Sequence, residues 1–245
     1  MSTIDTSPST NGRGSDAWLR SWIHLGIDRR SPGYCRVTFD HPPLNAISAT
    51  TVAELAELMD LIQEDADLSV VVFDSANPEF YLTHLDTEND PRLAARPTGP
   101  SGVCTWHDLL VRLSRAPVVS VASIRGRVRG AGVEFVLACD LRFASLENTR
   151  LGQLKVGAGP VPGDGSMARL SQLAGRGRAL EILLGADDLD GPRAEQYGYV
   201  NRAIADAQLD DEVDQIASRL THFDHDAIAR TKSCVDHVTS PAAQG

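Results

Sequence analysis

Glu134 is the one charged residue in the run Val133–Ala138, and it stands two positions after Gly130-Ala131-Gly132. Two kinds of chemistry meet there. A strand that ends in small residues before a helix exposes backbone N–H groups that have no acceptor inside the helix. The helix dipole is positive at that end. Such a place suits an anion, or an oxygen that gains negative charge during a reaction. A carboxylate one turn further in, among apolar neighbours, gains proton affinity from burial and becomes a usable base. The same residues also allow a plainer arrangement, in which small side chains let a helix pack closely on a sheet and Glu134 faces solvent. There is no G-x-G-x-x-G and no G-x-x-x-x-G-K-S/T in the chain, so neither phosphate-binding motif is present.

Other candidates are more scattered. Asp164 precedes Gly165-Ser166-Met167 and reads either as a catalytic group or as a helix N-cap. Lys155 is either a solvent-facing lysine or a cation aimed at an acidic group. His84 is a possible acid–base group on a loop. Arg125, Arg127 and Arg129 alternate, which puts them on one side of an extended backbone, at a subunit contact or along a pocket. His222 and His225 lack a third ligand in sequence, and no H-E-x-x-H occurs, so no metal site is expected. Ser166 lies outside any G-x-S-x-G. The four cysteines form no C-x-x-C and read as buried, reduced thiols.

The elements that must hold these residues alternate. Two strands, "WIHLGIDRR" and "YCRVTFD", flank a Ser-Pro-Gly turn. Ser48 caps a helix that runs to about Asp65, with Val52, Leu55, Leu58, Met59 and Ile62 on one face. "LSVVVFDS" is a buried strand. The following "NPEFYLTHLDTENDPRLAARPTGPSG" holds too many breakers for one regular element. A helix over Thr105–Leu113, strand "PVVSVASI", a helix over Ala131–Ala138 and strand "LRFAS" come next. Beyond "GQLKVGAGPVPGDG" the chain turns mainly helical, with "YVNRAI" as a short strand. Strand–helix–strand order predicts the α/β class.

Composition bounds the rest. The chain has 245 residues, 42% of them apolar, enough for a sizeable core. A formal net charge of −10 argues against a nucleic-acid partner. No run is apolar enough for a membrane span. The N-terminal "MSTIDTSPSTNGRGSD" lacks an apolar signal core and reads as a disordered leader, so a cytoplasmic location is expected.

Taken in order, "HPPLNAIS", "NPEFYLTHLD", "SIRGRVRGAGVEFVLACDLRFAS", "LGQLKVGAGPVPGDG", "GRALEILLG" and "AEQYGYVNRAI" resemble the crotonase superfamily, the enoyl-CoA hydratase/isomerase family, from about Trp22 to His237. The resemblance implies a crotonase-like spiral of β-β-α units, with a C-terminal helical region that packs trimers or dimers of trimers. It divides the chain into a leader (1–17), a core (18–190) and a trimerisation region (191–245). It implies an acyl thioester substrate that carries coenzyme A, with no further cofactor. By motif position, the Thr83 and Ala131 N–H groups would hold the thioester oxygen as an enolate develops. Main-chain groups near Leu44 and Ala46 would cradle the adenine. Leu85 and Asp86 follow the first donor, and Lys232 would approach the coenzyme phosphates. Glu134 matches one of two acids used by the hydratases. The second position carries Lys155, since "GQPE" reads "GQLK" here. A lysine is normally protonated and does not replace that acid. The resemblance therefore points to isomerase, carbon–carbon lyase or decarboxylase chemistry over simple hydration. Asp164, in "VPGDG", resembles the aspartate of members that cleave β-diketones without coenzyme A. A non-catalytic scaffold is the third reading.

Overall fold

The computed structural model describes residues 18–95, 98–100, 104–153, 156–159 and 165–239. Strands β1 (Leu25–Ser31) and β2 (Tyr34–Phe39) pair antiparallel around the Pro-Gly turn. Ser48 then starts α1 (Ala49–Glu64), its Oγ accepting the Thr51 N–H at 3.2 Å. That bond satisfies one of the donors a helix start leaves open. The expected apolar stripe, Val52, Leu55, Leu58, Met59 and Ile62, is buried throughout.

Next come β3 (Val70–Ser75), β4 (Phe80–Leu82), α2 (Pro91–Ala94) and α3 (Thr105–Arg115). They lead into β5 (Val119–Ile124), β6 (Arg127–Arg129) and α4 (Ala131–Ala138). The third round is β7 (Leu141–Ser145), β8 (Arg150–Gly152) and α5 (Ser166–Gly185). The chain closes with β9 (Leu189–Asp190), α6 (Gly191–Gln196), β10 (Arg202–Ile204), α7 (Leu209–Leu220) and α8 (His225–Thr239).

Two sheets share these strands. One runs β1-β2-β3-β5-β7-β10 and the other β4-β6-β8-β9. Each round places one strand in the large sheet, the next in the small sheet, and then a helix. The strands β3, β5 and β7 are parallel to one another, as are β4, β6 and β8. Repeating the step winds the chain into the expected α/β spiral. The apolar runs Val70–Phe73 and Val121–Ile124 are buried along their whole length, as parallel strands covered on both faces must be.

The corner between β5 and β6 corrects the arginine expectation. Gly126 has φ +71°, and a Cβ there would sit 2.6 Å from the Glu79 backbone. The corner separates Arg125 from Arg127 and Arg129, so the three do not share one strand face. Arg125 pairs with Asp206 and Asp210, and Arg129 with Asp188, all in the same chain.

Helix α5 is two helices joined across Gly175, whose φ of 76° and ψ of 159° are not helical. Its N-cap is Gly165, which has no side chain to cap the helix. Asp164, Lys155 and the leader lie outside the described residues. Residues beyond 190 pack on the core. Strand β10 extends the large sheet beside β7. Leu209, Val213 and Ala217 of α7 pack with Val70, Val72, Val121 and Phe143. Only α8 is peripheral, with Ile228 its one buried residue. Among the described residues, no helix is long and apolar enough to cross a membrane.

Candidate active site

The two glycines before Glu134 answer separate demands. Gly130, at the N-cap of α4, has φ +51°, a region that costs a side chain energy. Gly132 lies against β4: a Cβ there would stand 2.1 Å from the Leu82 carbonyl oxygen. Its N–H donates to the Thr83 carbonyl at 2.7 Å. Helix α4 is therefore locked onto the end of β4 by backbone, and all eight of its residues are buried. The Ala131 N–H, at the first helical position, donates to no group among the described residues.

The facing loop is fastened by Asn45, which sequence reasoning passed over. Its φ is 49°, a conformation asparagine tolerates better than most residues. Its buried side chain accepts the His41 N–H at 2.7 Å and donates to Ser75 Oγ at 2.7 Å. The Phe80 and Tyr81 carbonyls lie within 3.2 Å of the same amide nitrogen. The loop then runs beside the segment Thr83–Asp86. Ile47 donates to the His84 carbonyl and accepts from the Asp86 N–H, both at 2.9 Å.

This arrangement corrects the expected donor pair. The Thr83 N–H is committed to the Asn45 carbonyl at 3.1 Å, and its hydroxyl donates to Leu44 O at 3.2 Å. Thr83 is buried and offers no amide to a ligand. The next amide, of His84, donates to no group among the described residues. The His84 Cα would lie 3.7 Å from a Cβ on Gly130. The two unclaimed amides, of His84 and Ala131, thus flank the Thr83–Gly132 hydrogen bond.

Glu134 is fully buried, so the solvated arrangement is excluded. The Trp106 indole Nε1–H donates to its Oε2 at 3.1 Å. Trp106 comes from α3, 28 residues earlier, and nothing in the local sequence pairs it with Glu134.

Among the other candidates, the side chain of His84 is exposed, and Leu85 and Asp86 are half-buried. Asp86 Oδ1 accepts both N–H groups offered by Asn89. The Leu44 carbonyl is taken by Thr83, and the Ala46 carbonyl lies 2.7 Å from His41 Nδ1. The Leu44 and Ala46 N–H groups donate to no described group.

Lys232 is a correction. Its ammonium is largely buried, bonded to Asp140 Oδ2 at 2.8 Å and Val118 O at 2.9 Å. That ion pair ties α8 to the large sheet, so the charge is committed within the fold. No group of three His, Cys, Asp or Glu side chains that could hold a metal ion occurs among the described residues. Cys35 and Cys139 are buried, whereas Cys234 is exposed and Cys104 partly so, which departs from four buried thiols.

His24 and His41 stack with ring centroids 3.8 Å apart. Burial and the neighbouring His41 hold the His24 pKa below its ordinary value, against the opposing pull of Glu54 and Asp40. The stack braces the loop that begins at His41.

A family model described as enoyl-CoA hydratase/isomerase matches residues 29–244. A short-chain-enoyl-CoA hydratase of Clostridium acetobutylicum is 26% identical over 201 residues, which cover 82% of this chain and 76% of that protein. A crotonyl-CoA hydratase of Syntrophomonas wolfei is 27% identical over 196 residues, covering 79% and 74%. A crystal structure from Streptomyces avermitilis, described provisionally as an enoyl-CoA hydratase, is 40% identical with a TM-score of 0.85, covering 92% of this chain and 81% of that one. The enoyl-CoA hydratase of Bacillus anthracis, 22% identical, shares the fold with a TM-score of 0.80 over 90% of this chain and 85% of its own.

Proposed function

The chain belongs to the enoyl-CoA hydratase/isomerase family, and we propose that it moves a proton on an acyl-CoA thioester through an enolate, with Glu134 as the base. The observation that carries this reading is the fully buried Glu134 on the same short helix whose first N–H, that of Ala131, is unclaimed beside the His84 N–H. The thioester oxygen sits between those two amides. The positive end of the α4 dipole adds to them as negative charge grows on oxygen. One such donor is worth about 3 kcal/mol to the transition state.

The step balances as a proton shift. Glu134 takes the C2 proton, and the C–H electron pair moves onto the thioester oxygen. The protonated Glu134 returns the proton to C4 of a 3-enoyl chain, and the double bond moves into conjugation. A single carboxylate suffices. Lys155, standing where hydratases of this pattern carry a second acid, favours this route over hydration. The unclaimed Leu44 and Ala46 amides support a role in binding the adenine of coenzyme A, which is part of the substrate and not a separate cofactor. Exposed Met167, Leu173, Leu180 and Leu184 on α5, with Val235 and Val238 on α8, support assembly into trimers.

The test offers the protein 3-hexenoyl-CoA and crotonyl-CoA in separate reactions. Conversion of the first to the 2-enoyl thioester is expected, with a loss of about 10²–10⁴-fold in Glu134→Gln. Hydration of crotonyl-CoA at a comparable rate would replace the one-acid route with the hydratase route. Unchanged turnover in Glu134→Gln would remove Glu134 from the chemistry altogether.

A further inference from the structure

We infer that Trp106 is a positioning residue for Glu134, fixing the carboxylate through its indole N–H; the inference rests on the proton-transfer role proposed above. The indole nitrogen is a donor only, so it binds a carboxylate oxygen and never competes for that oxygen's proton as an acceptor. At 3.1 Å from Oε2 the contact is a hydrogen bond inside a site closed to water, with Trp106 1% and Glu134 0% exposed. A hydrogen bond to the charged form favours that form. It also removes one of the rotations through which the carboxylate would leave the reacting carbon.

The indole is itself held. Trp106, Leu109, Leu110 and Leu113 form the buried stripe of α3, spaced as one helix face. The Trp106 ring stacks on Phe135 at 6.4 Å and 27°. Phe135 in turn is clamped edge-on by Phe39 at 5.3 Å and Phe73 at 5.0 Å. The cavity behind the ring, lined by Leu55, Met59, Leu109 and Phe135 among others, measures only about 10 Å³. An indole cannot swing into a space of that size. Large-sheet side chains thus hold Phe135, Phe135 holds Trp106, and Trp106 holds the carboxylate. Trp22 offers the contrast: its buried Nε1 has no hydrogen-bond partner among the described residues.

The chain has three tryptophans, so the indole N–H region of a ¹⁵N–¹H spectrum is simple to assign. Trp106→Phe identifies the Trp106 signal by its loss. In the wild type that signal is expected at lowest field and slowest in hydrogen exchange, and Glu134→Gln is expected to move it upfield. In turnover of 3-hexenoyl-CoA, Trp106→Phe is expected to lower kcat about tenfold with KM within about twofold. The acidic limb of its pH–rate profile should move up by roughly one unit, the effect of losing one hydrogen bond to a charged group. A residue that only fills space would lower the melting temperature of Trp106→Phe and leave that limb in place. An indole signal indifferent to Glu134→Gln, or an unmoved limb in a folded Trp106→Phe, overturns the inference. Absence of wild-type turnover sinks the proposed function instead, and the indole signal still decides whether the contact exists.

Discussion

Replacing Gly132 with alanine tests the backbone lock on which the amide pair depends. The new Cβ would lie 2.1 Å from the Leu82 carbonyl oxygen and 2.6 Å from its carbon. Both atoms belong to strand backbone, so no rotamer change relieves the clash. Helix α4 must retreat from β4 by about 1 Å to restore ordinary contact. The retreat stretches the 2.7 Å bond from Gly132 N–H to Thr83 O, worth about 1 kcal/mol net. Overpacking of this kind adds about 1–3 kcal/mol. The expected destabilisation is about 2–4 kcal/mol, read from urea unfolding at constant m-value. Because the amides of His84 and Ala131 flank that same bond, a 1 Å retreat also misplaces them, which costs about 10²-fold in turnover. Gly177→Ala is the control. It lies in the second half of α5 with nothing within 4 Å of the added Cβ, so it should be neutral or stabilise by up to about 1 kcal/mol. Equal stability and equal turnover for Gly132→Ala and Gly177→Ala would refute the reasoning, because the close approach would then hold neither the helix nor the amides.

Lys232→Met strands Asp140, which keeps its bonds from the Ser120 N–H and hydroxyl; a loss of about 2–3 kcal/mol is expected, below the range for a fully buried pair. Limited proteolysis should then cut α8 first, while calorimetric affinity for coenzyme A stays unchanged; a large loss of affinity would return Lys232 to the phosphates. For the stacked histidines, His24 is held below the ordinary value of 6.5 and so binds fewer protons folded than unfolded. Its contribution is complete above pH 6.5 and is lost as pH falls through the window down to the lowered value. The melting temperature of wild type should therefore drop more steeply below that pH than that of His24→Gln, and parallel curves would exclude the stack as an acid-sensitive brace.

Legibility followed locality. Helix α1 could be read because its cap, Ser48, and its apolar stripe lie within one segment. Helix α4 and strand β7 were readable for the same reason, and the placement of Ala131 and Glu134 at the start of that helix came with them. Strands β4, β6 and β8 were not. Each is three residues long, and Arg127-Val128-Arg129 or Arg150-Leu151-Gly152 is too short to show an alternation. They exist because neighbours from earlier and later rounds supply their hydrogen bonds. Two side-chain contacts, one at the site and one that fastens α8, are equally nonlocal. Trp106 meets Glu134 across 28 residues, and Lys232 meets Asp140 across 92. Residue type showed that each could pair, and only the fold chose the partner.

The one-residue shift from Thr83 to His84 has a definite physical origin. Ile47 and Leu85 form a parallel bridge, in which Ile47 takes the His84 carbonyl and gives its own carbonyl to Asp86. Continued backward in regular register, that ladder would bring the Asn45 carbonyl to the His84 N–H. Asn45, however, turns at φ 49°, and its carbonyl meets the Thr83 N–H instead. The ladder slips by one, and the amide it passes over is the one beside Gly130. A motif match locates the loop, but the acceptor that Asn45 presents decides which amide is left unclaimed. The unclaimed His84 amide is thus made by a left-handed asparagine on the opposite loop, whose side chain grips Ser75, Phe80 and Tyr81 so that the slip cannot relax.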